Sequence, residues 1–176
     1  MNYHITQLIT EEEIDRRVRE MGAQISEDYA GKSVHLICIL KGASFFMCEL
    51  AKRITVPVSI DFMSASSYGA GTESSGVVTI EKDLEDPIEG KDVIIVEDII
   101  DTGRTLAFLK QVMEEKGARS IRICTLLDKP ERRVAPLTSD YVGFTVPDKF
   151  VVGYGLDYDQ KHRNLPYVGV VEFTGQ

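Results

Sequence analysis

The chain has no run of about 20 apolar residues, no cysteine pair in a metal-type spacing and no excess of basic charge, and each absence removes a class of function. Without a long apolar stretch no membrane span is expected, and the polar, acidic N-terminus has no basic region leading into an apolar targeting segment. Lys and Arg number 20 against 28 Asp and Glu, a formal charge of −8, which speaks against a sequence-independent grip on nucleic acid or on an anionic lipid surface. A small-molecule substrate fits that balance better. It can still be anionic, because helix termini, single Lys or Arg side chains and divalent cations act locally. Cys38, Cys48 and Cys124 are an odd number among apolar neighbours, so each is expected to be a buried free thiol in a reducing cytoplasm. His4, His35 and His162 have neither metal-ligand nor triad spacing and receive no role. No repeat, linker or low-complexity run divides the 176 residues, and 43% hydrophobic content suffices for the core of one domain over 1–176.

What is present is an alternation of two hydrophobic periods. Thr10 and Glu13 form a capping-box pattern, after which Ile14, Val18, Met21, Ile25 and Tyr29 recur at helical spacing until Gly31. Val34 to Leu40 reads as a strand, with a helix behind it carrying Phe45, Phe46 and Leu50, and Val56 to Phe62 reads as a second strand. Residues 64–76 are rich in Ser and Gly with almost no apolar anchor and are expected to be a mobile loop. Further strands are expected at Gly76 to Glu81, Val93 to Val96, Ile121 to Leu127, Tyr141 to Phe144, Phe150 to Val152 and Val168 to Val171. A helix carrying Leu106, Leu109, Val112 and Met113 ends at Gly117. Such alternation predicts an α/β domain with a mostly parallel, twisted sheet flanked by helices and ligands at the strand carboxyl ends.

The most informative segment is Val93 to Leu106, where an apolar strand runs into Glu97, Asp98 and Asp101 and then into the Thr102-Gly103-Arg104-Thr105 helix start. Acids beside a helix start have a bland reading, as favourable partners of the helix dipole with Thr102 as a simple cap. Three carboxylates this close repel one another, however, and Gly103 leaves backbone amides uncovered. A sugar phosphate resolves both: its phosphate suits the amides and hydroxyls of 102–105, while ribose hydroxyls and Mg²⁺ suit the acids. Two commoner phosphate-binding classes are excluded. No Gly-Lys-Ser or Gly-Lys-Thr loop occurs, and the turn after the first expected strand reads Leu40-Lys41-Gly42-Ala43-Ser44 instead of the spaced glycines of a dinucleotide site.

Val96 to Thr105 closely resembles the phosphoribosyl-pyrophosphate signature of phosphoribosyltransferases. With the segments around Lys129 and from Asp148 to Arg163, nearly the whole chain is similar to the bacterial hypoxanthine or hypoxanthine-guanine branch. The resemblance implies a small hood over the base, made largely from chain-terminal segments, and a glycosyltransferase of purine salvage that makes IMP or GMP. By this similarity Glu97 and Asp98 engage the ribose hydroxyls, and Asp101 lies close to purine N7 as the catalytic base or acid. Thr102, Gly103, Arg104 and Thr105 form the 5′-phosphate loop, with Arg104 standing where many relatives carry Lys. Lys129 donates to the 6-oxo group, which separates 6-oxopurines from adenine. Phe150 packs on the base and the Val151 carbonyl reads its edge. Asp157 ligates Mg²⁺ on the pyrophosphate, so that Glu97, Asp98 and Asp157 make up the metal-side acids, and Arg163 contacts the departing pyrophosphate. Lys41 and Gly42 match the pyrophosphate loop, where relatives use a non-proline cis peptide. Ser67 and Tyr68 match a closing flap that keeps water from an oxocarbenium-like transition state.

The same resemblance implies a homo-dimer or homo-tetramer, with no nucleic acid and no membrane among its partners. A rival within the fold is a phosphoribosyltransferase-like regulator that senses nucleotides and controls RNA or DNA, but such a protein needs a basic face, and this chain is acidic and keeps Asp101 and Lys129. A receiver-type signalling domain would also place acids at a strand end, yet leaves Gly103 to Thr105 and the Phe150 segment unexplained.

Overall fold

The computed structural model describes residues 2–67 and 77–175. The chain opens with a strand the sequence pattern did not disclose, β1 (Tyr3–Ile9), most of whose residues are partly or fully exposed. Helix α1 (Glu11–Asp28) follows directly. Its capping box is complete: Thr10 Oγ1 accepts from the Glu13 N–H at 3.1 Å, and the Glu13 carboxylate accepts from the Thr10 N–H at 3.0 Å. The expected stripe of Ile14, Val18, Met21 and Ile25 is the buried face of this helix.

Strand β2 (Val34–Ile39) is buried at every residue and leads into α2 (Ser44–Ala51). Phe46, Met47 and Leu50 face the core, whereas Cys48 lies on the exposed side of α2, against the expectation of three buried thiols. An apolar neighbour in sequence is not a neighbour in space on a helix, where adjacent residues point about 100° apart. Strand β3 (Val58–Ser67) starts later and runs further than its expected span. Ser64 to Ser67, assigned above to the loop, pair antiparallel with Lys82, Ile80, Thr79 and Val78 of β4 (Val78–Lys82). The remainder of that loop, including Tyr68, lies outside the described residues.

Strand β5 (Asp92–Ile100) also outlasts its expected end at Val96, because Glu97, Ile99 and Ile100 continue the parallel ladder with Thr125, Leu127 and Asp128 of the later strand β6. Helix α3 (Arg104–Glu115) returns along the sheet, followed by β6 (Ser120–Asp128), a single 3₁₀ turn at Pro130–Arg132, β7 (Tyr141–Thr145), β8 (Val151–Val152) and β9 (Val168–Phe173).

Two sheets result. The larger has the order β4-β3-β2-β5-β6-β7, parallel except for the edge strand β4. Its strands alternate sides, as a two-faced sheet must. Ile94 and Val96 pack with Phe46, Leu50 and the α1 stripe, while Val93 and Ile95 pack with Leu106, Leu109 and Met113 of α3. The smaller sheet is antiparallel with the order β1-β9-β8. Chain-terminal segments therefore build it, as the hood resemblance implied.

Candidate active site

A cleft of about 240 Å³ opens at the carboxyl ends of β2 and β5, lined among others by Gly42, Glu97, Asp98, Asp101, Thr102 and Thr105. Glu97 and Asp98 are adjacent on the last part of β5 and turn partly inward. The Asp98 N–H donates to Glu97 Oε1 at 3.0 Å and the Ile99 N–H to Asp98 Oδ1 at 2.6 Å. Burial, then the neighbouring Asp98 charge, pushes Glu97 well above the usual carboxylate range. Burial also raises Asp98, against the opposing pull of the hydrogen bond from Glu97, the Ile99 amide and the Arg163 guanidinium. Two carboxylates that resist joint ionisation suit a cation or hydroxyl donors between or beside them.

The turn after β5 leads into α3 without a side-chain cap. Gly103 adopts φ +82°, a left-handed conformation that a Cβ would strain, and caps α3 without any side-chain hydrogen bond. The Arg104 N–H donates to Thr102 Oγ1 over a long 3.4 Å. This turn is clamped from below by Arg133, which sequence reasoning missed. Its Nε donates to the Asp101 carbonyl at 3.2 Å and its Nη1 to the Leu137 carbonyl at 2.8 Å, while Nη2 pairs with Asp128. The Thr102 carbonyl in turn accepts from the Val134 and Ala135 amides at 2.9 and 3.0 Å. Arg132, also missed, places Nε 2.8 Å from Asp101 Oδ1, an ion-pair contact without well-aligned hydrogen-bond geometry. The available signal was the Lys-Pro-Glu-Arg-Arg run directly after a strand, whose Pro130 starts the 3₁₀ turn that aims both arginines back at the acids.

The Lys41-Gly42 loop closes one side of the cleft. The Leu40–Lys41 peptide is cis. A Cβ on Gly42 would overlap Asp98 Oδ2, and one on Gly155 would overlap the Gly42 carbonyl, so two backbone layers stack on the Asp98 carboxylate here only because both are glycine. Gly155 in turn donates its N–H to the Arg163 carbonyl at 2.9 Å and accepts from Arg163 Nη1 at 2.7 Å. Arg163 Nη2 lies 3.3 Å from Asp157 Oδ1, and Asp157 Oδ2 accepts from the Gln160 N–H at 2.8 Å. Glu97 and Asp98 are thus joined to Arg163 through glycine layers. Asp157 is not gathered with them into one ligand set: among the described residues no three acids, histidines or cysteines converge to hold a metal.

On the other flank Lys129 is 8% exposed, with its N–H bonded to the Ile100 carbonyl at 2.9 Å. Its Nζ stands 4.0 Å from Asp148 Oδ1, which also lies 3.7 Å from Arg132 Nη1. Phe150 is half exposed, edge-on to Tyr158 at 5.6 Å, and Tyr158 packs in turn on Tyr3 and Phe173 of the small sheet. Val151 is buried and paired with Val170. Ser67 is the last residue of β3, exposed. A larger groove of about 730 Å³, bordered by Glu11, Phe45, Cys48 and Pro166, lies outside this arrangement and gathers no basic or metal-binding set.

Residues 4–159 match the model of the phosphoribosyl transferase domain family. A hypoxanthine-guanine phosphoribosyltransferase of Streptococcus thermophilus is 54% identical over 165 residues, covering 94% of this chain and 92% of that protein. The crystal structure of such an enzyme from Bacillus anthracis superposes with a TM-score of 0.92 at 48% identity, covering 96% of this chain and all of the other. A hypoxanthine phosphoribosyltransferase of Staphylococcus aureus gives a TM-score of 0.91 at 51% identity over 94% of this chain and 90% of its own. With the acidic strand end, the glycine-capped helix start and these likenesses over nearly its whole length, the chain belongs to the phosphoribosyltransferase family, in its hypoxanthine-guanine branch.

Proposed function

We propose that the protein transfers the 5-phosphoribosyl group of phosphoribosyl pyrophosphate to N9 of hypoxanthine or guanine, in purine salvage. The observation that carries this reading is one cleft in which Glu97, Asp98 and Asp101 border the uncapped amino end of α3. Amides and hydroxyls of Thr102, Gly103, Arg104 and Thr105 hold the 5′-phosphate, and Glu97 and Asp98 the ribose hydroxyls. The Lys41-Gly42 loop and Arg163 take the pyrophosphate. Lys129 donates to the purine 6-oxo group, Phe150 offers its open face to the ring, and the Val151 carbonyl reads the far edge.

The N9 lone pair forms the bond to the anomeric carbon as the bond to pyrophosphate oxygen breaks, and that electron pair leaves with pyrophosphate. Asp101 accepts the N7 proton. Arg163 stabilises the charge on the leaving group. Glu97 and Asp98, and separately Asp157, would offer carboxylate oxygens to Mg²⁺, which would supply charge neutralisation on the pyrophosphate. Ser67, at the end of β3, takes the place the resemblance gives the closing flap, the 176 residues act as a single domain, and the working form is a cytoplasmic dimer or tetramer. The test is to mix purified protein with phosphoribosyl pyrophosphate, Mg²⁺ and each purine separately and to follow nucleotide formation. IMP and GMP are the expected products, and silence with every base overturns the reading.

A further inference from the structure

The parallel strands have a second end, remote from the cleft. There β2, β3, β5 and β6 begin, at Val34, Val58, Asp92 and Ser120. Two adjoining cavities of about 290 and 920 Å³ share Ser33 and Arg119. The smaller is also lined by His35, Ser59, Lys91 and Asp92, and the larger by Lys32. Arg119 is committed to Asp92, which it meets through Nε at 3.1 Å and through Nη2, and Ser120 Oγ donates to the same carboxylate at 2.6 Å. Lys32 and Lys91 form no direct ion pair among the described residues, and Lys32 acts on Asp92 only from a distance.

His35 faces the smaller cavity and is 2% exposed. Its Nδ1 lies 2.6 Å from Ser59 Oγ, whereas Nε2 has no hydrogen-bond partner among the described residues. Buried polar atoms are rarely left so, and each one asks for a partner. With Ser59 donating its hydroxyl proton to Nδ1, Nε2 carries the ring hydrogen as an unpaired donor on a residue that lines the cavity beside Lys91 and the Arg119–Asp92 pair. Burial first, then the Lys91 ammonium, holds the imidazole below its usual pKa, with Asp61 and Asp86 acting the other way.

We propose that this pocket is a second anion site, which takes a phosphoryl-type oxyanion on His35 Nε2–H, Lys91 and Lys32. It lies at the opposite end of β2 from Lys41 and Gly42, so it is separate from the transfer cleft and stands whether or not the transferase reading does. The oxyanion can be free phosphate or the phosphate of a nucleotide, since both offer the same acceptor oxygens.

The test reads the imidazole ¹H–¹⁵N signals of the full chain, which has only His4, His35 and His162, while inorganic phosphate is titrated against sodium chloride of matched ionic strength. The expected result is a saturable shift at His35 with phosphate alone, weakened about tenfold or more in a Lys32→Ala/Lys91→Ala variant whose melting temperature is unchanged. No saturable shift at His35, an equal shift with chloride, or an undiminished affinity in the double variant overturns the proposal. If the double variant melts early, Lys32→Gln and Lys91→Gln are titrated singly against the same criterion. A parallel titration with GMP names the source: tighter saturation of the His35 signal than with phosphate assigns the pocket to a nucleotide, weaker saturation to the free ion.

Discussion

At Asp101 the proposed role of base meets the guanidinium of Arg132, which lies 2.8 Å from the same carboxylate. Asp101→Asn keeps the shape and removes the base. It is expected to lower kcat by about 10²- to 10⁴-fold while changing phosphoribosyl-pyrophosphate binding little, and equal losses in both would count against the base role. Glu97 gives a prediction of opposite character. Its carboxyl is raised in the folded protein, so its contribution is fully present below the unfolded pKa and is lost as pH rises through the folded one. Glu97→Gln should therefore raise the melting temperature of the free protein at neutral pH, with the gain vanishing in acid, and should weaken the stabilisation that Mg²⁺ and phosphoribosyl pyrophosphate give together. Thermal scans across pH with and without ligands check both halves. Glu97, Asp98 and Asp101 were legible as residues because three acids before a glycine-bearing helix start are a local pattern. Arg132 and Arg133 were not, since nothing in a basic pair reveals that a proline-led turn will swing it back onto Asp101 and Asp128.

Among the elements, α1 was readable almost to its ends because caps and periodicity are short-range rules. Thr10→Ala removes the Oγ1 that accepts from the Glu13 N–H, leaving only the backbone half of the capping box, and is expected to cost about 1 kcal/mol in urea unfolding with kcat unchanged. Strand β1 was invisible for the converse reason. Its partner is β9, with Tyr3 opposite Phe173 and Ile5 opposite Val171, and no local signal reports a neighbour at the other end of the chain. The extension of β5 through Glu97 to Ile100 escaped notice because charged residues read as a turn, whereas the ladder to β6 holds them in the sheet. That extension matters for the chemistry: it mounts Glu97 and Asp98 on a strand instead of a loop, where their positions are fixed by backbone pairing.

For the molecule as a whole, the alternation of β2 and β5 residues between two cores ties both helical layers to one sheet, and the sheet is pinned at its amino end by Asp92 and Arg119. The Arg119 hydrogen bonds hold the Asp92 carboxyl down at about 2. A depressed carboxylate stabilises above its unfolded pKa, and the benefit disappears as pH falls through the folded value. Asp92→Asn is expected to cost about 1 kcal/mol at neutral pH, a modest figure because the guanidinium is largely exposed, and almost nothing near pH 2. Denaturant curves at the two pH values decide it. The small sheet carries a different consequence. Since β1 zips against β9 and Thr174 bonds back to Asn2 at 2.9 Å, a strand synthesised before the parallel sheet must wait for one synthesised after it before it finds its mate. Translation therefore supplies the strands of the parallel sheet first and completes the small antiparallel sheet last.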